Sequence, residues 1–562
     1  MREKYPRTLF LLLALLVSLP LRISAHAPAA VPATANHGLE KILLYISNGW
    51  DTLTRSMSAC ETFSDPKTGK KSALYLPANL PSPPSLVDAG AKCKIPVKPL
   101  PTIIKHLGAI DVQSIDPQGL LYLPHPYVVP GGMFNEMYGW DSYFIIRGLI
   151  DDGRLSLARS MVDNFFFEID HYGGILNANR TYYLTRSQPP FLTSMIRAVY
   201  EAEKAHGQAD PAWLARGYQY AVKDYRFWTT APHMAGDTGL SRYYGLGNGP
   251  VPELGARSTE YYGQVVRYFL LHPANSQPYL MAVGDQAGDS KVVGPEFSLV
   301  MDGNSRAGES KSLEKVALTP AFYKGDRSMR ESGFDVSFRF GPFGADTPNF
   351  AAVELNSLLY KTEKDLEWMS SQIGLKTDSA QWQRRAAKRQ AEIDYYLWDP
   401  HEGLYYDYDF ADGRRSLYTY ATTFYPLWVG LATPAQAKAV VESLRAFEQP
   451  GGIVMSMDDT GAQWDSPYGW APIQLIAIEG LRRYGYQAEA NRISLEFLSM
   501  VLQNFLRDGT IREKYNVVTR SSETQINVGY KANVVGFGWT NGVFLALLHA
   551  LPKEAQAILS EE

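Results

Sequence analysis

Pro130-Gly-Gly-Met-Phe-Asn-Glu-Met-Tyr-Gly-Trp-Asp-Ser-Tyr-Phe144 sets two carboxylates among aromatic rings directly behind a Pro-Gly-Gly turn. An ordinary core helix would not carry acids at its aromatic positions, because a buried carboxylate without a partner is costly. A loop built for a polar ligand would. Flat rings stack on the apolar C–H faces of a sugar, and carboxylates accept its hydroxyl hydrogens. A second stretch of this kind, Gln463-Trp-Asp-Ser-Pro-Tyr-Gly-Trp-Ala-Pro472, follows far downstream. Together the two point to chemistry on carbohydrate.

From residue 140 onward the pattern is helical, with apolar residues near helical spacing over 155–169, 191–206, 351–373 and 380–397. Thr433-Pro434 reads as an N-cap with proline at the first helical position, and Pro450-Gly451-Gly452 as the end of that helix. Residues 470–484 and 489–506 form a helical hairpin around Gly485. Repeated prolines over 76–101 predict extended loop. Residues 262–317 are rich in Gly, Asp, Ser and Lys, with β-like runs at 279–283 and 297–301, and read as an irregular insertion, a small β excursion or a flap. No fixed repeat of 20–50 residues is visible, so a solenoid is not indicated. Helical hairpins joined by acid- and aromatic-rich loops imply an all-α domain, a closed ring of paired helices with its site at one end. The expected divisions are 1–27, a Pro-rich segment with a helix over 28–100, and the ring over 101–562, with the insertion at about 255–325.

Hydrophobic residues make up 45% of the 562, enough for a large core and against global disorder. A net charge of −4 argues against a nucleic-acid partner. Arg2, Lys4 and Arg7 precede an apolar run over 9–21, with small residues at Ala25 and Ala27. That order predicts a secretory signal, hence a periplasmic or secreted protein with no membrane anchor after cleavage. Cys60 and Cys93 form either one disulfide or two free thiols, and neither lies in a CxxC. The histidines show no HExxH or paired spacing, so no metal is expected. Serine-based hydrolysis lacks a GxSxG elbow.

Two acids sit in unusual company. Asp335, in Glu331-Ser-Gly-Phe-Asp-Val-Ser-Phe-Arg339, lies among phenylalanines just after a glycine. Apolar flanks raise a carboxyl pKa and make it a proton donor near neutrality. Glu513 lies between Arg512 and Lys514, which hold it ionised and able to activate water. Cleavage between sugars needs this division of labour, an acid for the leaving oxygen and a carboxylate on the opposite face. The plainer readings are that Asp335 caps a helix starting at Val336 and that Glu513 pairs with Arg512 or Lys514 on a surface. Glu363 and Glu367 read as a solvated helix face.

Company decides between these readings. Pro130 to Tyr143 resembles the first signature of trehalases and Gln463 to Pro472 the second. Asn177, Arg180 and Tyr182-Tyr-Leu-Thr-Arg-Ser-Gln-Pro-Pro190 resemble the family's connecting segment. Ser332-Gly-Phe-Asp335 resembles its general-acid loop, Arg512-Glu-Lys-Tyr515 its general-base loop, and Gly536-Phe-Gly-Trp-Thr-Asn-Gly542 its C-terminal motif. The matches run in the family's order from about residue 100 onward.

The resemblance implies an (α/α)6 toroid and inverting hydrolysis of α,α-trehalose to two glucoses, by a monomer without metal or cofactor. It would make Asp335 the acid and Glu513 the base, with Trp140, Asp141, Asn177, Arg186, Ser187, Gln188, Glu253 and Gly333 touching sugar. Phe134, Gln463, Trp464, Asp465, Trp470 and Trp539, from the signature stretches, complete the expected substrate contacts. The chain departs from the pattern at Met133 and Val251, where the family carries arginines, and at Gly529. Of the arginine trio only Arg186 stays, and lost guanidinium donors are a route to another small α-glucoside. A sugar-binding relative without catalysis is the third alternative, and the retained acid and base speak against it.

Overall fold

The computed structural model describes residues 37–63, 72–283, 292–300 and 313–561. The predicted signal over 1–27 lies outside the described residues. Twelve helices carry the architecture: α1 (His37–Leu53), α2 (Asp141–Asp151), α3 (Leu155–His171), α4 (Leu192–Ala205), α5 (Pro211–Trp228), α6 (Val353–Gln372), α7 (Lys376–Tyr396), α8 (Tyr425–Trp428), α9 (Pro434–Glu442), α10 (Ala471–Arg483), α11 (Gln487–Asp508) and α12 (Gly538–Ala550).

The even-numbered helices close a ring. Helix α2 packs on α4, α4 on α6, α6 on α8, α8 on α10, α10 on α12, and α12 returns to α2. The odd-numbered helices lie outside: α3 against α2 and α4, α5 against α4 and α6, α7 against α6, α11 against α10 and α12, and α1 against α11 and α12. The fold is the expected all-α (α/α)6 toroid.

Sequence explains which helix goes where. Every residue of α12 from Gly538 to Leu548 is buried, and α10 is buried from Ala471 to Ile478. A helix apolar all round must be enclosed. Outer α7, by contrast, buries only Trp382, Ala386, Arg389 and Ile393, one stripe on a charged helix. The ring closes where α2 and α12 meet through two glycines. A Cβ on Gly148 would stand 2.4 Å from the Cα of Gly542, so neither position has room for a side chain.

Each inner helix is entered from an outer one, so the entering loops gather at the ring end where inner N-termini converge. The longest such loop joins α5 to α6. It holds the helix Ser258–Leu271, a three-stranded antiparallel sheet and the helix Pro320–Glu331. In the sheet, Leu313–Leu318 lies between Leu280–Val283 and Glu296–Val300. Tyr262, Val266, Phe269 and Phe322 give this excursion its own apolar core. The third strand was not legible from pattern.

Three local expectations are corrected. Residues 76–101 are not all loop: Pro84–Cys93 is a helix with Pro84 in its first turn, where a missing N–H costs nothing. A disulfide joins Cys93 to Cys60. The helix capped by Thr433, whose Oγ1 accepts from the N–H of Gln436, ends at Glu442. Pro450-Gly451 instead turns a hairpin between Glu448–Gln449 and Gly452–Ile453. Glu363 is buried rather than solvated, accepting from Tyr225 Oη (2.7 Å) and Arg389 Nε (2.8 Å).

Candidate active site

A cavity of about 560 Å³ occupies the end of the ring where the inner N-termini converge. Asp141 opens α2 and Trp140 precedes it. Asn177 and Arg186 lie on the loop into α4, Asp335 before α6, Trp464 before α10, and Glu513 and Trp539 at the entry to α12. Helix N-termini carry partial positive charge, so this end of the ring favours acids and sugar oxygens.

The loops are tied to one another. Residues Tyr468–Trp470 pair antiparallel with Lys514–Asn516, joining the second signature to the Glu513 loop. Trp464 N donates to Val336 O at 3.2 Å. Asp465 accepts from Ser337 Oγ (2.9 Å), Phe338 N (3.0 Å) and Thr460 Oγ1 (2.6 Å), which fixes the strand just past Asp335. Gln463 bridges both acid loops: its Nε2 donates to the Asp335 carbonyl, and its Oε1 accepts from Lys514 Nζ at 3.3 Å. Gly333 has φ +79°, and a Cβ there would meet the Trp140 ring at 2.9 Å, so glycine lets the Asp335 loop close over that indole.

The two principal carboxylates have different partners. Burial raises the Asp335 carboxyl to about 7, against the opposing pull of Arg330 and Arg186. Arg330 Nη1 donates to Asp335 Oδ2 at 3.3 Å. Glu513 Oε2 accepts from Lys514 Nζ at 3.1 Å, and its Oε1 from Tyr530 Oη at 3.4 Å. Burial lowers the Lys514 ammonium pKa, with Glu513 opposing. Asp141 is pushed up to about 8 by burial, helped by the nearby charges of Glu513 and Asp335. All three acids therefore share one electrostatic environment. Burial also acts to raise Glu253, but Arg186 and Arg330 outweigh it and hold that carboxyl low. Arg186 Nη2 donates to Glu253 Oε1 (2.5 Å) and to Asn177 Oδ1 (2.7 Å).

Of the residues expected at the site, Asp335, Glu513, Phe134, Trp140, Asp141, Asn177, Arg186, Gln188, Glu253, Gly333, Trp464 and Trp539 line this cavity. Ser187, Gln463, Asp465 and Trp470 stand behind it. Ser187 is buried with its N–H directed to Glu331 Oε1 at 3.5 Å. Trp470 stacks on Trp464 at 3.8 Å and donates Nε1 to the Gln463 carbonyl. Asp335 caps no helix, and Glu513 is buried, so the surface readings of both fail.

Arg330, Tyr138, Tyr183 and Tyr530 line the cavity although pattern did not single them out. Arg330 matters most, because it brings a guanidinium to a site whose family pattern predicted two losses. Val251 is buried outside the cavity lining, while Met133 is exposed at the cavity. No pattern marked Arg330: it lies five residues before Asp335 at the end of the helix Pro320–Glu331, and only the chain reversal at Gly333 brings it to the acid.

The trehalase family model matches residues 48–274 and 299–552. A probable trehalase of Eremothecium gossypii is 35% identical over 91% of this chain and 72% of its own length. A cytosolic neutral trehalase of Saccharomyces cerevisiae is 34% identical over 91% of this chain and 71% of its own. The solved neutral trehalase Nth1 of Saccharomyces cerevisiae superposes with a TM-score of 0.74 at 32% identity, covering 93% of this chain and 96% of that one. These relatives correct the expected export: several are named cytosolic, and the periplasmic or secreted location is withdrawn. That expectation rested on the order of basic, apolar and small residues over 1–27, which lie outside the described residues. Among the described residues no helix is long and apolar enough to cross a membrane. Sequence, fold and site agree: the chain belongs to the trehalase family and is a glycoside hydrolase.

Proposed function

We propose that the protein hydrolyses α,α-trehalose to two glucoses with inversion, Asp335 acting as acid and Glu513 as base. The observation that carries this reading is the pairing of unlike carboxyls on one cavity. Asp335 is raised by burial to about 7 and so still holds a proton near neutrality. Glu513 faces a buried ammonium with one oxygen and leaves the other to a phenol at the limit of hydrogen bonding. The first protonates the glycosidic oxygen as the bond to the anomeric carbon breaks. The second takes a proton from water as that water attacks the opposite face of the same carbon.

The remaining groups bind and orient. Trp140, Trp464 and Trp539 supply apolar walls for the sugar C–H faces. Arg186, rigidly held by Asn177 and Glu253, presents its remaining N–H groups to hydroxyls. Arg330 supplies a guanidinium beside the departing oxygen. The cavity volume lies within the ordinary range for small-ligand sites, about 300–1,000 Å³.

Incubation with trehalose, maltose, kojibiose and nigerose, with released glucose measured, tests the substrate. Trehalose is expected to be cleaved and the others spared; cleavage of another disaccharide alone would move the assignment to that glucoside. Proton NMR of the first product is expected to show β-glucose beside α-glucose. Two α anomers at early times would exclude inversion.

A further inference from the structure

A second cavity, of about 710 Å³, opens outside the ring between the C-terminal ends of α3 and α5. Its lining contains Asp224, 5% exposed, whose carboxyl has no hydrogen bond or ion pair among the described residues. Burial alone pushes that carboxyl up to about 7. Elsewhere, buried Glu363 accepts from Tyr225 and Arg389, and buried Asp326 from Arg330 and Tyr262. An unanswered buried carboxyl is costly, and its position in a cavity wall marks a place for a ligand hydroxyl.

The rest of the lining specifies that ligand. Phe227 offers a ring, packed at 4.4 Å on the buried His233. Exposed Lys105, Lys223 and Arg226 also line the cavity. Lys223 is bound to Asp170 at 2.7 Å, whereas Lys105 and Arg226 have no acidic partner among the described residues. A hydroxyl acceptor, an aromatic face and two uncompensated cations match a sugar carrying a phosphate.

The cavity also touches the acid loop. His233 Nε2 stands 3.3 Å from Glu331 Oε2. Glu331 in turn accepts from Ser187 N at 3.5 Å and Tyr244 N at 2.6 Å. Glu331 lies two residues before Gly333, and Ser187 follows Arg186 directly.

We propose that this cavity is a second binding site for a small phosphorylated sugar, with hydroxyls on Asp224 and phosphate on Lys105 and Arg226, and that its occupancy reaches the Asp335 loop through His233 and Glu331. Isothermal titration of the full chain with glucose 6-phosphate, glucose and inorganic phosphate tests the site without any use of activity. Glucose 6-phosphate is expected to bind more tightly than either fragment. Asp224→Asn should weaken it at least tenfold, and the double variant Lys105→Ala with Arg226→Ala should weaken it while leaving glucose unchanged. Hydrogen exchange at the amides of 331–335 should slow on binding. No heat at about 10 mM ligand, ten times the concentration matching about −4.1 kcal/mol, would overturn the site. So would equal affinity in Asp224→Asn, or phosphate alone binding as well as the sugar phosphate. Binding with unchanged exchange at 331–335 would overturn the coupling.

Discussion

Asp335 and Glu513 line a single cavity but meet different cations there. The Asp335 side chain keeps 23% of its surface exposed and accepts from Arg330 Nη1 at 3.3 Å, yet desolvation prevails over that guanidinium. Glu513 is the more enclosed of the two, 2% exposed, and has a lysine ammonium at 3.1 Å on the neighbouring residue. Burial raises the cost of charge on Asp335, and the two carboxylates meet different cations, a guanidinium and an ammonium. On the proposed reading, one ring end sets a proton donor and a water activator on the same cavity.

Removing either carboxyl tests the contrast most severely. Asp335→Asn and Glu513→Gln should each lower kcat by roughly 10²–10⁴-fold, the range for a positioned acid or base, with circular dichroism unchanged. Near-wild-type turnover in either variant breaks the pairing. Arg186→Lys comes next. It cannot reproduce the fork that meets Asn177 and Glu253, and losing one charged hydrogen bond of about 1.5–3 kcal/mol predicts a fall in kcat/KM of roughly 10- to 100-fold. Gln463→Ala, which removes the bridge between the two acid loops but no cavity-lining group, should cost about fivefold in kcat from loss of about 1 kcal/mol of positioning. An unchanged kcat would show that the loops hold their spacing without it.

Two pH measurements sharpen the comparison further. If Asp335 is the proposed acid, kcat/KM should decline as pH rises past about 7, and Asp335→Asn should lack that limb. For stability the sign is also fixed. The folded carboxyl is raised from 3.8 to about 7, so the native state holds its proton longer than the unfolded chain, and stability falls as pH rises between those values. The melting temperature of Asp335→Asn minus that of wild type should therefore grow from pH 4 to pH 7 and then level off. A difference that shrinks over that window contradicts the buried-acid account.

Much of this was readable from residues. The long helices announced themselves because α3, α4, α6 and α11 carry apolar stripes at helical spacing, and their observed bounds fall within a few residues of expectation. The site was readable because acids among aromatics violate core rules. Arg330 was not readable, since an arginine near a helix end looks like any solvated cation until the chain folds back at Gly333. Gln463, Asp465 and Trp470 share the signature with Trp464, but the turn over 463–467 sends neighbouring side chains to different layers before the strand Tyr468–Trp470 begins. The helix Pro84–Cys93 was hidden by prolines that stop helices from within yet suit their first turn.

The glycine contact between α2 and α12 has a consequence for biosynthesis. It joins the first inner helix to the last across nearly four hundred residues of intervening chain. Contacts so distant in sequence form late, because the loop must be closed before the contact rewards it. A nascent polypeptide still short of Gly538 could assemble an arc but no complete circle, and Glu513 would lack the indole of Trp539 that donates to its carbonyl. Catalytic competence would then arrive in a single late event on the ribosome's timetable, rather than accumulating helix by helix.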